Sequence, residues 1–129
     1  MQKGFIKLGA LLGALAVISG AFGAHALKAI ISDKSLAIFE TGVRYQYYHV
    51  VALLITGILY KEFPNKYLLW AGRLFCVGIF FFSGSLYLLA FIDISENTGL
   101  KWIGAITPLG GACFIAGWLS LTAGISKKN

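Results

Sequence analysis

The side chains that could carry chemistry gather near the ends of apolar segments. His25 follows one such segment, Tyr45, Gln46 and His49 open another, and Asp93 closes a third. Tyr45 and His49 are four residues apart, so on a helix they share a face. Ionisable groups at membrane depth are candidates for ligand binding or proton transfer. These five residues form the candidate polar site. It is either a hydrogen-bonded network that locks helix ends, which we favour, or a site for a ligand or a proton.

Motifs of known catalytic and metal sites are missing from the sequence. Two histidines could hold a haem across a bundle, but His25 and His49 are both predicted at the same end of it. The sequence also has no CxxCH motif that would attach a c-type haem. His25, His49 and Asp93 or Glu40 could form a metal site, yet no HxxxH or ExxH pair supports it. GxSxG, HExxH and phosphate-loop motifs are also absent. We therefore predict no enzyme activity, no metal and no cofactor.

The composition is that of a membrane protein. Of the 129 residues, 58% are hydrophobic and 12% are charged. Soluble domains have about 45–50% apolar and about 25% charged residues, so this chain is too apolar for water. The net charge of +6 could suggest nucleic acid as a partner. However, the basic residues lie in short loops between apolar runs, where positive charge sets membrane orientation. We predict membrane lipids, and no nucleic acid, as partners.

The apolar runs predict an all-α membrane protein with a single domain over residues 1–129. A helix of about 20 residues crosses the hydrocarbon layer. The sequence has four such runs, at about 5–24, 45–60, 74–92 and 102–125. Ser32 or Asp33 can cap a short amphipathic segment at about 32–43, which we expect to lie flat in the outer interface. The fold class is therefore a four-transmembrane-helix bundle with one interfacial helix between helices 1 and 2.

The basic residues also predict the orientation of the four spans. Lys3 and Lys7 with the sequence Ala24-His25-Ala26 resemble a cleavable signal, but the apolar run is longer than such signals require, so we expect a retained helix. Four spans place the termini and the loop 61–73 on one side. That side has seven cations, and the other side has four. The seven are Lys3, Lys7, Lys61, Lys66, Arg73, Lys127 and Lys128. Cytoplasmic loops are enriched in Lys and Arg, so we predict that both termini are cytoplasmic.

Small residues recur at intervals of four and three in the first and last runs. The first run has Gly9, Gly13, Ala16, Gly20 and Gly23; the last has Gly110, Cys113, Gly117, Ser120 and Gly124. Small residues allow neighbouring backbones to approach closely, which drives helix association in lipid. We therefore predict that the two helices are tightly packed, against each other or against a partner.

Two serines lie deep in the third run. We expect Ser83 and Ser85 to bond back to carbonyls of their own helix. Near the start of the fourth run, Pro108 is expected to leave a carbonyl near Gly104 without its helical partner. The polar groups at this end would then be locally open.

Four motifs together resemble a known family. In order they are GAFGAHALK, FETGVRYQYYHVVALL, FFSGSLYLLAF and GAITPLGGACFIAGWLSL. They are similar to the domain-of-unknown-function 423 family of small membrane proteins, over nearly the whole chain. The resemblance implies a four-helix protein of the bacterial cytoplasmic (inner) membrane, and it implies no activity.

Function must then follow from packing and from the polar site. Our leading interpretation is an accessory or assembly subunit, or a self-associating bundle, as a homo-oligomer or in a larger membrane complex. The first alternative is a binding module for a lipid or quinone-like molecule, with its polar head near His25, Tyr45, Gln46 and His49. The second alternative is a proton-linked transporter of small solutes, although no acid or base lies at mid-membrane in the predicted spans.

Overall fold

All regular structure in the described part of the chain is helical. The computed structural model describes residues 1–95 and 98–127, without the side chains of residues 93, 98 and 101. The helices are α1 (Lys3–His25), α2 (Asp33–Leu59), α3 (Lys66–Gly78), α4 (Gly84–Ser95) and α5 (Thr107–Ser126). A π-helical segment, Ile79–Ser83, joins α3 to α4, and 3₁₀ segments cover Leu27–Ala29 and Thr98–Ala105. The prediction of an all-α chain is confirmed for the described residues.

Three stretches of the described chain are long and apolar enough to cross a membrane. They are Lys3–Ala29, Lys66–Ile92 and Trp102–Ser126. The runs predicted at 5–24, 74–92 and 102–125 lie inside them. The run predicted at 45–60 falls in α2 except for Tyr60, the residue after the helix. α2 is not among the three stretches, because the polar residues from Arg44 to His49 lower the apolar character of its middle.

Residues 33–43 do not form the separate interfacial helix that the sequence analysis predicted. They are the beginning of α2, which continues without a break to Leu59. Ser32 caps this helix, as expected, because its hydroxyl accepts a hydrogen bond from the Ser35 N–H at 3.2 Å. No proline or turn separates Val43 from Tyr45, so nothing ends the helix there.

The fourth apolar run also begins differently. The chain is 3₁₀-helical over Thr98–Ala105, and α5 starts only at Thr107. Pro108 therefore stands in the first turn of α5, where the missing N–H would have no helical acceptor in any case. It helps the helix to begin and does not interrupt it.

α2 lies at the centre of the helix packing. α1 lies along α2, α2 also contacts α3 and α4, and α5 lies along α3 and the π-helical segment. The main apolar core lies between α2, α3 and α5, around the fully buried Leu68, Ala71 and Phe75. A second core, formed by Leu27, Phe39 and Ala90, closes the other end.

The two predicted rows of small residues do not meet each other. Those of α1 face α2: a methyl group added at Gly9 would lie 2.9 Å from Leu54, and one at Gly23 would lie 2.9 Å from Phe39. Those of α5 face α3 and the π-helical segment, where a methyl group at Gly110 would lie 2.3 Å from the Phe82 nitrogen. Each row is thus used against another helix of the same chain. The prediction had the two rows packed against each other or against a partner, and it did not identify α2 or α3 as their neighbours.

Candidate functional site

The His49 side chain lies inside the bundle. It is 5% exposed. The imidazole stacks on the Phe114 ring of α5, with 3.5 Å between ring centroids and an interplanar angle of 8°. Phe75 of α3 and Trp118 of α5 pack around the same ring. The histidine therefore joins three helices through aromatic contacts.

The hydrogen bonds of His49 fix the position of its proton. Nδ1 lies 2.7 Å from the Tyr45 carbonyl oxygen, which can only accept. The Trp118 indole N–H, which can only donate, lies 3.1 Å from Nε2. The ring is thus a neutral imidazole with its proton on Nδ1. Since both nitrogens are occupied, neither is available to a metal, a haem or a substrate without loss of an existing bond.

Gln46 connects three helices from the adjacent position on α2. Its Nε2 donates to the Leu12 carbonyl of α1 at 2.9 Å, and its Oε1 accepts from the Tyr87 hydroxyl of α4 at 2.6 Å. Gln46 is 4% exposed, so these bonds are made away from solvent.

The two serines behave differently from each other. Ser83 donates to the Gly42 carbonyl of α2 at 2.6 Å, so it bonds to another helix and the prediction of a bond within its own helix is wrong. Ser85 does bond back, to the Phe82 carbonyl at 2.9 Å, as predicted. Its oxygen also shares a hydrogen bond with the Thr107 hydroxyl at the start of α5.

Of the four predicted site residues whose side chains are described, His25 lies apart from the other three. Tyr45, Gln46 and His49 occupy successive turns of α2, and the Tyr45 ring packs on Phe82 with 4.6 Å between centroids. His25 is exposed at the end of α1, where the preceding turn faces Phe39. Ten residues of α2 separate Phe39 from His49, so the histidines are more than about 15 Å apart along the helix axis. The Asp93 side chain lies outside the described residues.

The network was only partly visible in the sequence. Trp118 and Leu12 supply essential partners, yet neither was among the candidate residues. Trp118 had a usable signal, because an indole N–H that is removed from water needs an acceptor. The Leu12 carbonyl had none, since a backbone group carries no residue type. Every buried side-chain N or O atom in the described part of the chain has a partner. Within it, no group of three His, Cys, Asp or Glu side chains is placed to hold a metal.

A separate apolar groove lies beside α4. It has a volume of about 360 Å³ and is open on one side. The lining residues are Phe80, Phe81, Gly84, Ser85, Leu88, Trp102, Ile103 and Ile106. Gly84 forms an empty part of the wall, because a methyl group added there would meet nothing within 4 Å. The Ser85 hydroxyl is already bonded to Phe82 and Thr107, so the groove offers carbon surface to an occupant.

Comparisons with known proteins identify relatives that are named as membrane proteins, and they supply no activity. The chain is 47% identical over 120 residues to the "UPF0382 membrane protein SH2409" of Staphylococcus haemolyticus, covering 93% of each chain. It is 43% identical to the "UPF0382 membrane protein YwdK" of Bacillus subtilis, covering 98% of each chain. A "UPF0382 membrane protein" of Haemophilus influenzae is 38% identical, over 100% of this chain and 98% of its own. No solved structure matches. The profile of the family described as "Protein of unknown function (DUF423)" matches residues 19–111, and this chain belongs to that family.

Proposed function

We propose that this membrane protein acts by helix packing, as an accessory or assembly subunit that associates through α1. The observation that supports it most is the position of α1 at the edge of the bundle. In the most apolar 18-residue window of Lys3–Ala29, 11% of the window is buried inside the protein. The corresponding share in Lys66–Ile92, which contains α3, is 33%. The polar interior, by contrast, is closed by its own hydrogen bonds. We therefore assign the activity to the exposed surface of α1, through association with another helix.

The proposed topology has four spans. α1 is a candidate span, and α2 runs antiparallel to it from one end to the other. At one end the Gln2 N–H donates to the Gly57 carbonyl at 2.8 Å, and at the other Gly23 faces Phe39. A helix of 27 residues is about 40 Å long, which is enough to cross with its partner. The polar groups of α2 are tolerated because α1, α4 and α5 satisfy them.

The proposed orientation has both termini in the cytoplasm of a bacterial inner membrane. It rests on the excess of Lys and Arg in the loop 61–73 and near the termini. Fusion of alkaline phosphatase or a fluorescent protein to the C-terminus, and insertion of each after Ile31, measures the side directly. We expect fluorescence without phosphatase activity at the C-terminus and the reverse after Ile31. Phosphatase activity at the C-terminus would contradict the orientation.

The unpartnered face of α1 has the residue types of an association surface. Four alanines of this helix are exposed: Ala10, Ala14, Ala21 and Ala24. They stand beside the glycines that pack on α2, so they lie on a neighbouring strip of the same helix. Small residues in this arrangement allow a further helix to approach closely, which drives association in lipid.

Site-specific photocrosslinking in native membranes tests the association. A photoreactive amino acid at Ala14 of α1 is compared with one at Ile115, which is 64% exposed on α5. We expect the Ala14 probe to capture a protein, either a second copy or another subunit, and the Ile115 probe to capture lipid. If both probes capture only lipid while the protein is folded and inserted, the proposed function is wrong.

A second candidate function is the binding of a lipid or quinone-like molecule. The groove beside α4 favours it, and its carbon lining suits the apolar tail of such a molecule. Gly84→Leu would place a side chain in the groove, and its first added carbon meets nothing within 4 Å. Leu119→Phe, on an exposed position of α5, adds volume elsewhere as a control. Mass spectrometry of the purified protein should find a retained lipid in the wild type and the control but not in Gly84→Leu. Equal retention in all three would remove this candidate.

A further inference from the structure

Two lysines from different helices converge on one aromatic ring at an end of the bundle. The Lys66 Nζ, at the start of α3, lies 5.5 Å from the centroid of Tyr67. The Lys127 Nζ, just after α5, lies 5.7 Å from the same centroid. The electron-rich faces of aromatic rings attract cations, so Tyr67 keeps both ammonium groups within 5.7 Å of its ring centroid.

The backbone under this pair is tightly fixed. The Asn65 Nδ2 donates to the Gly124 carbonyl at 2.9 Å, which ties the start of α3 to the last turn of α5. Its Oδ1 accepts from the N–H groups of Tyr67 and Leu68, at 3.0 and 3.2 Å. A methyl group at Gly124 would collide with Leu68, so the two helices cannot approach more closely or be spaced by a side chain. The distance between the two lysine attachment points is therefore set by the fold.

The cations near this ring outnumber the anions that could neutralise them. Between Glu40 and Asp93 the sequence has one acidic residue, Glu62. A third cation, Arg73, lies about two turns beyond Lys66 on α3, with its guanidinium carbon 5.6 Å from the Trp70 centroid. The first N–H groups of α3 are already bonded to Asn65, so a bound anion would be held by ammonium groups and not by the helix terminus.

We infer that Lys66 and Lys127 form a binding site for the phosphate of an anionic phospholipid. The complementary charge selects the head group. The position of the pair at the end of two apolar helices places that phosphate at the level of the membrane interface. Tyr67 and Trp70 belong to the residue types that occupy this level, which supports the placement. The site lies apart from α1 and from the groove, so it stands independently of the proposed association.

Lipid titration by native mass spectrometry tests this site with a charge-matched control. Detergent-solubilised wild-type protein is titrated with phosphatidylglycerol and with phosphatidylcholine of the same chains. Lys66→Gln/Lys127→Gln removes the pair, and Lys3→Gln/Lys7→Gln removes equal charge from the first turns of α1. We expect the first variant to bind phosphatidylglycerol roughly tenfold or more weakly than the wild type, and the second to bind it nearly normally. Phosphatidylcholine binding should be the same in all three.

The control decides between a site and diffuse attraction. If the two double variants weaken phosphatidylglycerol binding equally, or if neither weakens it, the site is refuted. Tyr67→Leu keeps all charges but removes the ring that holds the ammonium groups, so it should give a smaller loss than the double lysine variant. Thermal unfolding of each variant in the same detergent shows that the fold is retained.

Discussion

The indole N–H of Trp118 donates a hydrogen bond to Nε2 of His49 across 3.1 Å, which joins α5 to α2 inside the bundle. The Tyr45 carbonyl accepts a hydrogen bond from the Nδ1–H group of His49. The imidazole therefore has a defined tautomer, and neither ring nitrogen is without a partner. The stacked Phe114 ring covers one face of it. His49 therefore connects α2 to α5. A histidine with a free ring nitrogen at this position would have suggested ligand binding or proton transfer.

Trp118→Phe is expected to destabilise the protein by removing the donor to His49. The Nε2 atom would then be a buried acceptor without its partner, and such a group costs about 1–3 kcal/mol. Measured coupling energies of hydrogen bonds between membrane helices are smaller, on average about 0.6 kcal/mol. Thermal or denaturant unfolding of the purified protein in detergent measures the loss.

A double-mutant cycle separates the hydrogen bond from the packing of the indole. His49→Phe removes the acceptor and preserves a flat ring against Phe114. In that background Trp118→Phe should cost less than it does in the wild type, by about 0.5–2 kcal/mol. Strictly additive losses would show that the two side chains contribute by packing alone.

Tyr87→Phe is expected to be more harmful than its size suggests. It removes the donor to the Gln46 Oε1 and leaves that buried atom unpaired. The loss should therefore approach about 1–3 kcal/mol. Tyr87→Phe/Gln46→Leu removes both partners, so the second change should add less than its own single cost. Unfolding of the three variants under one condition provides the comparison, and a fully additive double variant would contradict the network.

The long helices could be predicted because their signal is local. Apolar runs of the length of a membrane appear in the composition of each segment, and the limits of α1 and α5 follow from them within one turn or so. The start of α2 could not be found in this way. The polar residues from Arg44 to His49 lower the apolar character of its middle. Only the other helices, which satisfy Gln46 and His49, make that polarity compatible with a long buried helix.

The partners of the polar residues could not be predicted for a different reason. Small residues at intervals of four and three show that one face of a helix has only small side chains. This spacing does not identify the helix that covers the face. The choice of α2 for α1 and of α3 for α5 depends on the whole packing arrangement. In the same way, Ser83 could have bonded to its own helix. The π-helical segment instead places its hydroxyl against the Gly42 carbonyl.

Three alanine substitutions are expected to rank the glycines by the space beside them. At Gly110 the new carbon would lie 2.3 Å from the backbone nitrogen of Phe82, and backbone cannot move aside cheaply. At Gly20 the nearest atom is 3.5 Å away, and at Gly84 there is none within 4 Å. Gly110→Ala should therefore lose about 3 kcal/mol or fail to accumulate. Gly20→Ala and Gly84→Ala should be neutral or gain up to about 1 kcal/mol, because alanine favours helix.

Protein yield and melting temperature in one detergent are sufficient to measure this ranking. Gly20→Ala serves as the matched control for Gly110→Ala, since each replaces a helical glycine with the same side chain. Equal stability of these two variants would mean that α5 does not approach the π-helical segment as closely as described.

Two substitutions at Asn65 are expected to separate its two duties at the end of the bundle. Asn65→Ala removes the cap of α3 and the bond to Gly124, so it should lose about 1–3 kcal/mol. Asn65→Asp keeps an oxygen for the N–H groups of Tyr67 and Leu68 but has no N–H to donate to Gly124. It should lose less than Asn65→Ala if capping dominates, because an aspartate caps as well as an asparagine. Unfolding in detergent gives both values. If Asn65→Asp is as unstable as Asn65→Ala, the bond between α3 and α5 is the larger of the two contributions.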